Sequence, residues 1–160
     1  MKTLMLLRHA KSSWKDETLD DHERPLNKRG KRAAPLMGRL LKKEALVPDL
    51  IISSTAVRAR RTAEAVAESS GYTRGVELDE GLYLAPAGKL LDVAARVPGD
   101  TVQRLLLVAH NPGMEDLVAM LSGASERFPT AALAVFELSV DRWPDVALGV
   151  ETRLVSLFRP

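Results

Sequence analysis

The run Leu4-Met5-Leu6-Leu7 limits the possible folds more than any other stretch of the chain. Four consecutive apolar residues leave a strand with no polar face, so such a strand must be covered from both sides. The run ends abruptly in Arg8-His9, a pair that a core would not choose. A second apolar stretch, Arg104 to Ala109, stops in the same way at His110. In open α/β sheets, ligands gather just beyond the carboxyl ends of the strands. Both histidines are therefore expected at that edge, each carried there by a rigid element.

The rest of the pattern fits such a sheet. Strand-length apolar runs are expected at Thr3–Leu7, Leu50–Ile52, Val76–Leu78, Arg104–Ala109, Ala131–Val140 and Thr152–Phe158. Between them lie helical patterns at Lys28–Glu44, Ala56–Ser69, Gly88–Val97 and Pro112–Leu121. Alternation of this kind predicts an α/β chain: a three-layer α/β/α sandwich around a mostly parallel sheet of about six strands. In the first helix, Asn27 is the candidate N-cap, and Leu36, Met37, Leu40 and Leu41 form the expected buried stripe. Pro35 inside it predicts either a kink or a later true start. The charged stretch Lys11–Arg24 is expected to be loop rather than core.

Length and composition narrow the functional classes. At 160 residues the chain is expected to be one domain, 1–160, with a substantial core. It has no cysteine, which removes disulfides, a thiolate nucleophile and cysteine-ligated zinc. No apolar stretch approaches the ~20 residues of a membrane span, and the N-terminal run is too short for a signal peptide, so a cytoplasmic location without membrane attachment is expected. The net charge of +2 suits anionic substrates, while aromatics at 4% offer nucleic acid few stacking platforms. The basic residues Lys28, Arg29, Lys31, Arg32, Arg39, Lys42 and Lys43 read as a solvated helix face.

A third strand-to-helix junction, Ile52 to Arg58, places Arg58 in the first turn of a helix and aims it at the same edge as the histidines. Helix N-termini near Ala56 and Pro112 add free N–H groups. Guanidinium groups, imidazoles and helix N-termini converging at one place suit a phosphoryl group. Neutral imidazole is a good nucleophile toward phosphorus when one nitrogen is free and the other holds the proton. A backbone carbonyl accepting from that second nitrogen would fix the tautomer of His9. Arg8 and Arg58 would lower the pKa of His9 and grip phosphoryl oxygens in paired hydrogen bonds. An ion contact at ~4 Å is worth roughly 4 kcal/mol at an effective dielectric of about 20. A helix dipole contributes only ~0.3–1 kcal/mol. No metal or other cofactor is called for, since the arginines supply the charge.

These residues carry a resemblance. Leu7-Arg8-His9-Ala10 resembles the Arg-His-Gly signature of the histidine phosphatase (phosphoglycerate mutase-like) superfamily. Ser54 to Thr62, as S-x-x-x-R-A-x-x-T, resembles its second arginine motif, Arg24-Pro25-Leu26-Asn27-x-x-Gly30 its Pro-Leu-Thr-x-x-Gly motif, and His110 its second histidine. The resemblance implies that His9 is the phosphorylated nucleophile, with Arg8, Arg58 and His110 as the phosphate pocket. Within the superfamily, the short length and the Arg-His-Ala-Lys variant look most like the SixA-type phosphohistidine phosphatases. Ala10 departs from the usual glycine, and Lys15 stands after Trp14 where mutases often carry asparagine.

For the proton donor, Asp79-Glu80-Gly81 resembles the mutase segment that carries a glutamate acid, so Glu80 is the candidate and a solvated loop carboxylate the alternative. Asp20, Asp21 and His22 are lesser rivals. With little chain available to roof the site, the expected substrate is phosphohistidine on a protein. Small phosphate esters are the alternative substrate class, a mutase is less favoured, and a non-catalytic phosphate-binding module is the reading outside enzymes.

Overall fold

The computed structural model describes residues 1–160. Its centre is a six-stranded sheet in the order β3-β2-β4-β1-β5-β6, made of β1 (Lys2–Arg8), β2 (Leu50–Ser53), β3 (Glu77–Leu78), β4 (Arg104–Ala109), β5 (Leu133–Leu138) and β6 (Thr152–Phe158). The pairs β1–β4, β2–β4 and β2–β3 are parallel, while β5 runs antiparallel to both β1 and β6. The sheet is thus mixed, with β5 the one reversed strand.

The unbroken apolar run of β1 is explained by what covers it. Leu4 and Leu6 face a core shared with α3 (Ala87–Ala95) and α4 (Gly113–Ser122); Met5 and Leu7 face one shared with α1 (Lys28–Lys43) and α2 (Val57–Ser70). All four are fully buried. This is the three-layer arrangement that the alternation of elements predicts.

Two expectations need correction. The buried stripe of α1 is Gly30, Ala34, Met37, Gly38 and Leu41, while Leu36 is 52% exposed and Leu40 only partly covered. The seam between α1 and α2 is close because it is made of small residues: a Cβ on Gly38 would collide with the Ser69 side chain. A search for large apolar residues overlooks such a seam. Secondly, β5 begins at Leu133 instead of Ala131, because Ala131 has φ +61° and turns the chain before pairing starts. Pro35 neither starts nor ends α1, which runs through it from Lys28.

The Lys11–Arg24 loop is not free. Lys11 O accepts from Asn27 N–H, Ser13 N–H donates to Pro25 O, and Ser12 bridges to Leu26. The Asn27 side chain caps α1 by accepting from Gly30 N–H. Gly30 has no alternative here, since a Cβ would overlap the Lys11 carbonyl. The Arg-Pro-Leu-Asn-x-x-Gly stretch therefore stitches the loop after His9 to the start of α1.

Candidate active site

The carboxyl ends of β1, β2 and β4 open into a cleft of about 280 Å³ that Arg8, His9, Arg24, Arg58, His110 and Asp21 help to line. Three of these residues sit at or just beyond strand ends, as their positions after apolar runs imply. Arg8 is the last residue of β1, and His9 and His110 directly follow β1 and β4. Arg58 lies in the first turn of α2 and is 3% exposed. The two imidazole centroids are 5.1 Å apart.

His9 is held in one tautomer. Its Nδ1–H donates to Ala10 O at 2.7 Å, leaving Nε2 with its lone pair. The same Ala10 is tied at its amide: Ala10 N–H donates to Thr62 Oγ1 (3.0 Å), and the Thr62 hydroxyl donates to Arg58 O (2.7 Å). The second arginine motif thus keeps its threonine to lock α2 against the loop that orients His9. Ala10 is absent from the positive-φ residues, so the turn needs no glycine.

Burial pushes the His9 imidazole down to about 4, with the charges of Arg58, Arg8 and Arg24 adding to the shift and the Ala10 carbonyl opposing it. The arginines, which the sequence named as lowering it, are thus the lesser cause beside burial. His110 is lowered to about 3, first by burial and then by His9 and Arg58. Both rings are neutral near pH 7.

His110 is oriented by Ser54, whose Oγ lies 2.7 Å from Nε2 and accepts from Ala56 N–H at 3.2 Å. Buried, and with no other acceptor for its proton, the Ser54 hydroxyl donates to Nε2, so the ring proton sits on Nδ1. That Nδ1, together with Arg8 Nε and Arg58 Nε, is buried without a hydrogen-bond partner in the protein. Buried donors almost always find a partner. Three such donors on residues of one cleft suit a ligand with several acceptor oxygens.

The remaining cations are braced. Arg58 donates to Asp21 O (2.7 Å) and to Asp21 Oδ2 (2.9 Å). Arg24, placed in the charged loop by the sequence, is buried and donates to Asp21 Oδ1, Ser12 Oγ and Ser13 O. Its guanidinium lies 3.4 Å from the ring centroid of Trp14. Tyr83 also donates to Asp21 Oδ2, at 2.6 Å. Partial burial works to raise Asp21, but hydrogen bonds from Tyr83, Arg58 and Arg24 win and hold it down to about 2.

The proton donor proposed from sequence is displaced. Glu80 is exposed, in a short 3-10 turn, and is not among the residues that line the cleft. Its segment sends Tyr83 toward the site instead. The carboxylate in the cleft is Asp21, one of the rivals ranked below Glu80. His22 stands behind it, bonded to Thr55 Oγ1. Asp20 is exposed and also lies outside the cleft lining. Ser54, Thr62, Arg24 and Tyr83 had no assigned role in the sequence; Ser54, Thr62 and Arg24 fall inside the family motifs, which was the available signal.

Residues 4–90 match the family profile of the histidine phosphatase superfamily, branch 1. The chain belongs to that superfamily. An uncharacterized protein of Mycobacterium tuberculosis is 37% identical over 154 residues, covering 89% of this chain and 93% of that protein. Among solved structures, the protein assigned as phosphohistidine phosphatase SixA in Agrobacterium tumefaciens superposes with a TM-score of 0.84 at 30% identity, over 99% of this chain and 98% of that one. Its counterpart from Nakamurella multipartita gives a TM-score of 0.85 at 28% identity, over 99% and 96%. Family and fold support a phosphatase. No helix is long and apolar enough to cross a membrane.

Proposed function

We propose that this protein is a phosphohistidine phosphatase with His9 as nucleophile. His9 Nε2 attacks the phosphorus of a phosphohistidine side chain, the P–N bond to the substrate imidazole breaks, and the phosphoryl group passes to His9. Water then attacks the phosphorus of phosphorylated His9, releasing inorganic phosphate and restoring the imidazole. Arg8, Arg58 and His110 hold the three equatorial oxygens and carry the developing charge.

One observation carries the choice of substrate class. The cleft contains a single carboxylate, Asp21, and three donors keep it ionised far below neutrality. It has no proton to give to a departing alkoxide. An imidazole leaving group needs none, because its other ring nitrogen can carry the proton. A site without a protonated acid therefore suits a phosphoramidate better than an alkyl ester.

The test is a series of aryl phosphates with leaving phenols of increasing pKa, alongside phosphohistidine. Rates should fall steeply as the phenol becomes more basic, with phosphohistidine cleaved about a thousandfold faster than phosphoserine. A flat dependence on phenol pKa would reveal a general acid and overturn the reading.

A further inference from the structure

A surface outside the cleft holds charge that the chemistry does not use. Lys15, Lys28, Arg29 and Lys31 line a shallow concavity with Ser13, Leu26 and Asn27, and no acidic residue joins them. Lys11, on the same extended segment, lines the catalytic cleft. The two surfaces adjoin because Gly30 brings the first turn of α1 against the Lys11 carbonyl.

All five cations are exposed, and none has a carboxylate partner. Arg32, Arg39, Lys42 and Lys43 are also exposed without an acid partner, so what sets these five apart is their place on one concavity and the adjoining cleft. The placement is also locally unfavourable. The first turn of α1 has no acidic residue and carries Lys28, Arg29 and Lys31, so cations sit at the positive end of the helix dipole. In α4 the first turn carries Glu115 and Asp116, the stabilising arrangement. A helix that keeps three cations where its own electrostatics disfavour them has an outside use for them.

We propose that this basic surface docks an acidic face of a histidine-phosphorylated protein and presents its phosphohistidine to His9. The proposal rests on the phosphohistidine reading above. Charge on the neighbouring rim favours a protein over a nucleic acid. Asp16 and Glu17 follow Lys15 and line a second depression with it. A uniform polyanion would be repelled there, whereas a folded partner can match acidic against basic and basic against acidic.

The experiment uses two phosphohistidine peptides of equal length, one flanked by Asp and Glu, the other by Ser and Gly. Wild-type protein should show kcat/KM about tenfold higher for the acidic peptide at low salt, converging with the neutral one near about 0.5 M salt. The triple variant K28E/R29E/K31E should lose that preference while its melting temperature holds or rises, because acids now occupy the helix N-terminus. Loss of preference therefore cannot be put down to unfolding. Equal rates on both peptides in the wild type, or a preference surviving in the triple variant, overturns the docking surface alone. Hydrolysis of aryl phosphate with neither peptide cleaved overturns the phosphohistidine reading and the docking surface with it. A single-stranded DNA that outcompetes the acidic peptide, and loses its grip in the triple variant, would reassign the surface to nucleic acid.

Discussion

Two concavities of this molecule each gather more than one arginine, and they treat that charge differently. The cleft at the carboxyl ends of the strands, about 280 Å³, holds Arg8, Arg24 and Arg58 against a single carboxylate. The other, about 340 Å³, lies beside β3 and the beginning of β2, with Leu50, Ile52, Val93 and Val97 in its wall. Its cations are balanced one for one: Arg74 lies 3.7 Å from Glu77 and Arg96 lies 3.8 Å from Asp79, with Asp79 alone of the four partly buried. The larger hollow is thus the electrically neutral one. What separates them is unmet positive charge held rigidly out of water, where Coulomb attraction is least screened.

The sharpest way to break this comparison is to remove the proposed nucleophile. His9→Ala should lower turnover of phosphohistidine and aryl phosphate by about 10⁴-fold or more, and should abolish an acid-labile, base-stable phosphoryl adduct seen by mass spectrometry of the wild type. An adduct persisting elsewhere would move the chemistry away from the cleft. Next, Arg58→Lys keeps the charge but loses the planar fork that spans Asp21 and the phosphoryl site. Steady-state kinetics should show kcat/KM about a hundredfold lower.

The two buried imidazoles predict an acid-side loss of stability. Both pKa values are lower folded than unfolded, so below about pH 6.5 the unfolded chain binds more protons and stability declines as pH falls toward 4. His9 alone should account for on the order of 3 kcal/mol by pH 4. Asp21 acts in the same direction only below the ordinary carboxylate range, as pH falls toward 2. Chemical denaturation between pH 7 and 4 should show the decline, with a shallower slope in His110→Gln. A stability curve flat across that window would mean the imidazoles take up protons in the fold as readily as in the unfolded chain. The same shift keeps His9 unprotonated, so kcat/KM, corrected for substrate ionisation, should hold from pH 7 to 5. Smallest of all, Arg74→Ala and Arg96→Ala in the neutral hollow should each change stability by less than about 0.5 kcal/mol and leave kcat unchanged, as exposed ion pairs do. A marked loss of activity there would erase the distinction between the two hollows.

How far the site could be read in advance differs residue by residue. Arg8, His9 and His110 were visible because each interrupts an apolar strand, and a polar residue at that point has few reasons other than a site. Arg58 was visible from its place in the first turn of a helix at the same edge. Glu80 shows the opposite case. Sequence spacing put a carboxylate near the site, but whether a loop side chain turns inward depends on the packing around it, and the segment delivers Tyr83 instead. Asp21 was visible as a candidate yet ranked low, since nothing local says that Arg58 and Tyr83, distant in the chain, will close on it.

The sequence by itself determined the layers, the strands and the edge at which chemistry gathers, because hydrophobic periodicity is a local property and burial follows from it. Tertiary structure alone decided the protonation and orientation of the site. Ser54 sets the tautomer of His110, Thr62 locks the loop of Ala10, and three donors converge to keep Asp21 ionised. Hydrogen bonds and desolvation act over a few ångströms between residues tens of positions apart, and no local pattern encodes such a distance.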